Sequence, residues 1–179
     1  MRTLVLGGIR SGKSDWAESY IGDRAGSGCP VRYLATGPAA DSDPSWAQRL
    51  AAHRARRPSN WVTVESPDVA AQLRAEPATA TLVDDIGGWL TAAMDRADAW
   101  SGGPIDAPVA DLIDAIGDFR APLVLVSPEV GLTLVPATAA GRRFADELGA
   151  LNQRLAAVNE RVVLVVAGVA VPIKPERKS

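Results

Sequence analysis

Residues Gly7 to Ser14 read GGIRSGKS, and this stretch decides the fold. It fits the pattern G-x-x-x-x-G-K-[ST] at every fixed position, after the apolar run at 3–6 and before a candidate helix from Ser14. Backbone N–H groups of such a loop point at phosphate oxygens, and the N-terminus of the helix adds positive potential. The pattern predicts a nucleoside triphosphate site in which Lys13 contacts the β- and γ-phosphates and Ser14 holds Mg²⁺.

The composition is that of a globular protein with balanced charge. The chain has 179 residues, 47% of them hydrophobic, and a formal net charge of −2, so we expect one domain over residues 1–179 and no nucleic-acid partner. Cys29 is the only cysteine, which excludes an internal disulfide and fits a cytoplasmic location. Gly7 and Gly8 interrupt the first apolar run, so we expect no signal peptide, and no run approaches the ~20 apolar residues of a membrane span.

Short β-rich runs alternate with helical patterns along the chain. The candidate strands are Arg2–Leu6, Val31–Ala35, Trp61–Glu65, Thr81–Asp84, Leu123–Ser127 and Val162–Ala167. Several of these runs are continuously apolar, which indicates burial on both faces, as in a parallel sheet. With a phosphate-binding loop after the first strand, the alternation predicts a doubly wound α/β fold, a mostly parallel sheet flanked by helices.

Capping residues and apolar spacing locate some of the helices and connections. Asp43-Pro44 and Ser66-Pro67 each look like an N-cap followed by proline at the first helical position. Residues Asp98 to Pro108 are expected to form a flexible connection, and the tail from Lys174 to Ser179 is expected to be frayed. The segment 138–160 predicts a helix with an apolar stripe of Phe144, Leu148, Leu151, Leu155 and Val158.

An acidic pair follows the fourth candidate strand, where Thr81-Leu82-Val83 ends in Asp84-Asp85. P-loop enzymes place a Mg²⁺-associated carboxylate at the carboxyl end of a buried strand, where ligands of open α/β sheets also bind. Asp84 is therefore a candidate Mg²⁺ carboxylate. From position alone, a solvated loop aspartate or a helix N-cap is the alternative.

A second signal is basic and surrounds the only histidine, His53. On a helix Arg49 shares a face with His53, and Arg56 and Arg57 lie one turn on. The arginines disfavour the imidazolium form, so we expect a neutral ring that can attack a phosphorus atom and form a reactive phosphoramidate. Judged from these residues alone, a solvated basic face remains the alternative.

Six stretches match the motifs of one known family in the same order. They are GGIRSGKS at 7–14, YLAT at 33–36, RLAAHRARRPSNWVTVESP at 49–67, Val83-Asp84 with Trp89-Leu90, SPEVGLTLVP at 127–136, and a helix carrying Arg142, Phe144, Asp146, Gly149, Asn152 and Gln153. Through these motifs the chain resembles the bifunctional adenosylcobinamide kinase / adenosylcobinamide-phosphate guanylyltransferase family of cobalamin biosynthesis. The block at 49–67 is the most specific of them.

The resemblance implies a RecA-like P-loop NTPase and a two-step enzyme. ATP or GTP phosphorylates adenosylcobinamide, GTP guanylylates His53, and the GMP passes to adenosylcobinamide phosphate to give adenosylcobinamide-GDP. Lys13 is the second implied catalytic residue, Ser14 and Asp84 are the expected Mg²⁺ contacts, and a homotrimer is expected. The implied nucleotide-binding positions are Gly7, Gly8, Ile9, Arg10, Ser11, Gly12, Lys13, Ser14, Ala35, Thr36, Gly37, Arg54, Ala55, Arg56, Arg57, Glu65 and Asp84.

Three other functions are alternatives to the two-step enzyme. A P-loop small-molecule kinase without the guanylyl step would make His53 incidental. A nucleotide switch would normally carry N-K-x-D for guanine, which the chain lacks, and the acidic, short chain disfavours a nucleic-acid motor.

The chain departs from the family pattern at two positions, where Pro128 and Thr133 stand in place of the family's asparagine and glycine. Proline removes a backbone donor, and threonine would be strained if φ were positive there.

Overall fold

The computed structural model describes residues 1–37 and 57–175. The strands of this part are β1 Arg2–Gly7, β2 Val31–Ala35, β3 Trp61–Glu65, β4 Thr81–Asp84, β5 Leu123–Pro128, β6 Arg161–Val166 and β7 Val169–Lys174. They form a seven-stranded sheet in the order β3-β2-β4-β5-β1-β6-β7. Neighbours from β3 to β6 pair in parallel and β7 pairs antiparallel with β6, so the predicted mostly parallel sheet is confirmed.

Helices cover both faces of this sheet. They are α1 Lys13–Ala25, α2 Val69–Ala75, α3 Ile86–Arg96, α4 Asp106–Asp118 and α5 Ala139–Val158, with a short 3-10 helix at Ala99–Ser101. Successive residues of β1 enter two different apolar layers. Leu4 belongs to the layer that includes α3, α4 and α5, whereas Val5 belongs to the layer under α1. Burial on both faces is the reason that the central strands are continuously apolar, and the doubly wound architecture is confirmed.

The end of the sheet beyond β6 differs from the prediction. Strand β6 ends at Val166, and Ala167 and Gly168 form a tight turn with φ of 50° and 79°. Positive φ at both central residues is the geometry of a two-residue hairpin turn whose twist matches the flanking strands. The predicted strand therefore runs one residue too far, and the antiparallel strand β7 was missed. The Ala-Gly pair between two valine-rich runs was the available signal.

The start of α2 tests one of the two capping predictions. Helix α2 begins at Val69, and its cap is Asp68, whose Oδ1 accepts a hydrogen bond from the Ala71 N–H at 3.1 Å. The prediction of Ser66 as N-cap is therefore wrong. Ser66 instead accepts the Asp68 N–H in the turn before the helix. The Asp43-Pro44 cap lies outside the described residues.

The long helix near the C-terminus is confirmed. Helix α5 is capped by Thr138, which accepts from the Gly141 N–H at 3.1 Å. Its stripe packs into the core as expected, with Leu148, Leu151 and Leu155 fully or almost fully buried. In the part of the chain that is described, no helix combines the length and the hydrophobicity needed to cross a membrane.

The connection at 98–108 and the first residue of the predicted tail, Lys174, are ordered parts of the fold. The connection at 98–108 contains the 3-10 helix and the first turn of α4, and it buries Ala99 and Ile105 in the core. At the other end, the Lys174 ammonium donates to the carbonyl oxygens of Ala156 and Asn159, at 2.9 and 2.7 Å. The expected flexibility was therefore wrong for the connection at 98–108 and for Lys174, because apolar burial and bonds to carbonyl oxygens hold them, whereas residues 176–179 lie outside the described part of the chain.

Candidate nucleotide-binding site

The loop that joins β1 to α1 has the geometry of an anion cradle. Arg10 and Gly12 have positive φ, at 57° and 89°, so the backbone reverses its curvature before the helix begins. Gly12 is the N-cap residue of α1, and glycine has no side chain that could cap the first N–H groups. These N–H groups and the helix dipole therefore face the end of β1, where a phosphate would be bound.

Neighbouring backbone holds this loop on two sides. The Glu129 N–H, just beyond β5, donates to the Gly7 carbonyl oxygen at 3.0 Å. The Gly168 N–H, in the β6–β7 turn, donates to the Ser11 carbonyl oxygen at 2.8 Å. Gly12 packs closely on the same turn, since a Cβ built there would lie 3.1 Å from the Gly168 Cα. Gly168 was not among the predicted site residues, although it supports the phosphate-binding loop directly.

The two acidic residues after β4 have different surroundings. Asp84 Oδ2 accepts a hydrogen bond from the Tyr33 hydroxyl at 2.5 Å, whereas Asp85 caps α3 by accepting the Gly88 N–H at 2.7 Å. Burial and the adjacent Asp84 charge raise the pKa of Asp85, against the opposing effects of the Gly88 N–H and the Lys13 ammonium. Burial and Asp84 also raise the pKa of Tyr33, so this hydroxyl stays protonated and donates. Helix capping is thus the role of Asp85 rather than of Asp84.

Lys13 lies over the loop it belongs to. Its Nζ is 3.4 Å from the Gly8 carbonyl oxygen, and its charge is felt at Asp85 across the end of the sheet. An ammonium between a phosphate-binding loop and a carboxylate pair is in a position to neutralise charge on a bound triphosphate.

The predicted residues on β2 and β3 end at the same edge of the sheet as the loop. The Thr36 N–H donates to the Asp84 carbonyl oxygen at 3.2 Å, and the Thr36 hydroxyl donates to the Asp85 carbonyl oxygen. Glu65 pairs with Ala35 at the end of β3. Because neighbouring strands lie about 4.8 Å apart, the edge from Glu65 to Gly7 spans four spacings, or about 19 Å.

Arg57 is turned inward and fixed from several sides. Its side chain is only 5% exposed, and its Nε donates to Glu18 Oε1 of α1 at 3.1 Å. A terminal nitrogen donates to the Thr63 hydroxyl at 3.2 Å, and the guanidinium carbon lies 3.3 Å from the centre of the Tyr33 ring. The other terminal nitrogen is buried without a hydrogen-bond partner among the described residues. The predicted residues His53, Arg54, Ala55 and Arg56 lie outside the described residues.

Two concave surfaces flank these elements. A cavity of about 480 Å³ opens beside α1 and is lined by Asp15, Glu18, Ser19, Gly22, Arg57, Pro58 and Trp61. A smaller one of about 220 Å³ lies between the β5–α5 loop and α5. Within residues 1–37 and 57–175, no group of three histidine, cysteine or acidic side chains is arranged to hold a metal ion.

The two departures from the family pattern are accommodated in the β5–α5 loop. The Pro128 carbonyl oxygen accepts a hydrogen bond from Asn152 Nδ2 at 3.1 Å, and its ring packs near Gly87. Thr133 is not among the residues with positive φ, and its hydroxyl donates to the Val130 carbonyl oxygen at 2.8 Å. The steric strain considered for Thr133 therefore does not arise.

The fold has a solved relative that is distant in sequence. A structure described as "a prototypical ATPase from the type III secretion system of pathogenic bacteria" matches with a TM-score of 0.57 at 12% identity. The match covers 96% of this chain and 56% of the ATPase chain. The likeness shows that the two chains share a fold.

Sequence comparisons extend over nearly the whole chain. The Bifunctional adenosylcobalamin biosynthesis protein CobP of Pseudomonas aeruginosa is 41% identical over 98% of this chain and 99% of its own length. The proteins named CobU of Salmonella typhimurium and Escherichia coli are 38% and 37% identical over 97% of this chain and all of theirs. The model of the family "Cobinamide kinase / cobinamide phosphate guanyltransferase" matches residues 3–173, and the chain belongs to this family.

Proposed function

We propose that this chain phosphorylates adenosylcobinamide with ATP or GTP and then transfers GMP from GTP to adenosylcobinamide phosphate through His53. The observation that carries the proposal is the full-length similarity to proteins named as bifunctional in adenosylcobalamin biosynthesis. It is supported by a complete GGIRSGKS loop at the end of β1, on the same edge of the sheet as the acidic end of β4. We further propose that one domain carries both reactions.

The kinase step uses the loop at 7–14 and the residues beside it. The N–H groups of the loop and of the first turn of α1 bind the β- and γ-phosphates, and Lys13 neutralises their charge. The Ser14 hydroxyl and the Asp84 carboxylate are the oxygen donors that Mg²⁺ prefers, and they would hold it with the phosphates. When bound, Mg²⁺ neutralises phosphate charge. The acceptor hydroxyl attacks the γ-phosphorus, the bond to the β-phosphate oxygen breaks, and the hydroxyl proton is lost.

The second step forms and breaks a phosphorus–nitrogen bond at His53. The neutral ring attacks the α-phosphorus of GTP, and pyrophosphate leaves. A phosphate oxygen of adenosylcobinamide phosphate then attacks the same phosphorus, and the histidine leaves. The proposed nucleotide contacts for these steps include Ala35, Thr36, Gly37, Arg54, Ala55, Arg56, Arg57 and Glu65.

Arg57 supports a location for the second step close to the first. It is four residues beyond His53, and four residues of extended chain span at most about 14 Å. Through Glu18 it contacts α1 one turn after Ser14. Its buried terminal nitrogen, which lacks a hydrogen-bond partner among the described residues, is suited to a phosphate oxygen. The cavity of about 480 Å³ beside it is within the range of small-molecule sites.

We also propose that the protein acts in the cytoplasm as a homotrimer. Exposed apolar side chains support self-association, and they are grouped on β7 and on the β5–α5 loop. Val169, Val171 and Ile173 are each about half exposed or more, and Leu134 is 94% exposed. The molar mass measured by light scattering tests the oligomer. Three chain masses support the proposal, and one chain mass contradicts it.

The test of the function is product analysis with wild type and His53→Ala. Each protein is incubated with adenosylcobinamide, GTP and Mg²⁺, and the corrinoids are identified by mass spectrometry. We expect adenosylcobinamide-GDP from wild type and accumulation of adenosylcobinamide phosphate with His53→Ala. If wild type also stops at the phosphate, the chain is a kinase without the guanylyl step. If neither protein phosphorylates the corrinoid, the proposal fails.

A further inference from the structure

Tyr33 is hydrogen-bonded to Asp84, a contact that neither the YLAT motif at 33–36 nor the Val83-Asp84 motif predicted. It lies in the middle of β2, the residue is 3% exposed, and its hydroxyl donates to Asp84 Oδ2 at 2.5 Å. The two residues are 51 positions apart in sequence and on neighbouring parallel strands. A buried phenol needs an acceptor. Here the acceptor is the half-buried carboxylate at the end of β4, on the edge of the sheet that carries the phosphate-binding loop.

The ring that carries this hydroxyl is held in place. The Arg57 guanidinium carbon lies 3.3 Å from the centre of the Tyr33 ring, close enough for a strong cation–π contact. Arg57 is itself fixed by Glu18 of α1 and by the Thr63 hydroxyl. Swinging the hydroxyl away from Asp84 would therefore require this packing to be broken. The donor is fixed relative to α1, the helix that follows the phosphate-binding loop.

We propose that Tyr33 is a positioning residue for Asp84 in the binding of the magnesium nucleotide, an inference that rests on the proposed function. The hydrogen bond holds Oδ2 and so fixes the plane of the carboxylate, which leaves Oδ1 as the oxygen that would hold Mg²⁺. Asp85, the neighbouring carboxylate, is committed to capping α3 and does not replace it. Residues that orient a metal-binding group are worth on the order of tenfold to a hundredfold in metal affinity.

The test separates a metal effect from a nucleotide effect. The affinity for a GTP analogue with a methylene group between the α- and β-phosphates is measured by calorimetry, with Mg²⁺ and with a chelator. His53 cannot displace pyrophosphate from this analogue, so binding is measured without reaction. The variants are Tyr33→Phe and, as a matched control, Tyr20→Phe. These are the only two tyrosines, and Tyr20 lies on α1, stacked on Trp16.

We expect Tyr33→Phe to bind the analogue as tightly as wild type does in chelator. With Mg²⁺ present, its affinity should be roughly tenfold to a hundredfold lower than that of wild type. Tyr20→Phe should keep the whole gain. Asp84→Asn should lose a similar amount, and adding Tyr33→Phe to Asp84→Asn should lose little more, because the two residues act through one contact. The midpoint of the Mg²⁺ dependence of phosphorylation should rise in parallel.

Three results would overturn the inference. The first is a Tyr33→Phe variant that gains as much affinity with Mg²⁺ as wild type does. The second is an equal loss of affinity in chelator, which would mean that Tyr33 acts in the fold or in nucleotide contact. The third is a double variant in which the losses of the two single variants add. These leave the proposed function standing, because wild type still gains affinity with Mg²⁺. If wild type gains none, the magnesium-dependent kinase step fails together with this inference.

Discussion

Replacing Gly12 with alanine tests how the phosphate-binding loop is held. Gly12 has φ of 89°, where a side chain costs about 1–2 kcal/mol. The new Cβ would also lie 3.1 Å from the Gly168 Cα, in the turn that donates to the Ser11 carbonyl oxygen. Shifting that backbone costs about 1–3 kcal/mol more. We expect Gly12→Ala to lower the free energy of unfolding by about 1–4.5 kcal/mol, after the smaller entropy of the unfolded variant is included.

Gly8→Ala is the matched variant in the same loop. Gly8 does not have positive φ, and a Cβ built there meets no atom within 4 Å. Both substitutions change the unfolded chain alike, so their difference isolates the cost in the folded state. Thermal unfolding without nucleotide should show Gly12→Ala roughly 2–18 °C below wild type and Gly8→Ala at or slightly above it. Equal unfolding temperatures for the two variants would refute the reasoning.

Two further predictions concern stability. Asn152→Ala leaves the fully buried Ser127 hydroxyl without the acceptor it now has at 2.6 Å, and urea unfolding should show a loss of roughly 2–4 kcal/mol. The exposed neighbour Gln153→Ala should change it by less than about 0.5 kcal/mol, and similar losses in both would contradict this. The hydrogen bond from Arg74 to Asp111 Oδ1, at 2.6 Å, lowers the pKa of Asp111. The ionised Asp111 therefore stabilises the fold at pH values above the ordinary carboxyl pKa of about 3.9, and this stabilisation is lost as the pH falls through the lowered pKa of Asp111. Unfolding temperatures should show Asp111→Asn slightly less stable at neutral pH and converging with wild type in acid, and a gap that widens in acid would contradict the assignment.

Much of the fold could be predicted because its signals are local. The strands β2, β3 and β4 have the predicted bounds, and β1 and β5 are each one residue longer. Continuous apolar runs reflect burial on both faces, and the loop motif sets the order strand, loop, helix. The carboxyl ends of parallel strands share one edge of a sheet. For this reason the fold alone brings Asp84 to the edge that carries Gly7.

The features that were missed depend on contacts between distant parts of the chain. Strand β7 is an exposed edge strand, and the proline within its apolar run argues against a strand when only the sequence is considered. Two of the missed contacts are the hydrogen bond from Gly168 to Ser11 and the hydrogen bond from Tyr33 to Asp84. Each joins residues more than fifty positions apart in the sequence, so no local pattern encodes it. Asp68 rather than Ser66 caps α2 for a similar reason, because a cap depends on where the helix packs.

The central claim is that GMP is carried by His53, and covalent labelling tests it most directly. Wild type and His53→Ala are incubated with Mg²⁺ and GTP labelled at the α-phosphate, and the proteins are separated on a denaturing gel. The account predicts label on wild type alone, stable to alkali and released by acid, as expected for a phosphorus–nitrogen bond. Equal label on both proteins, or none on wild type that binds GTP, would contradict it.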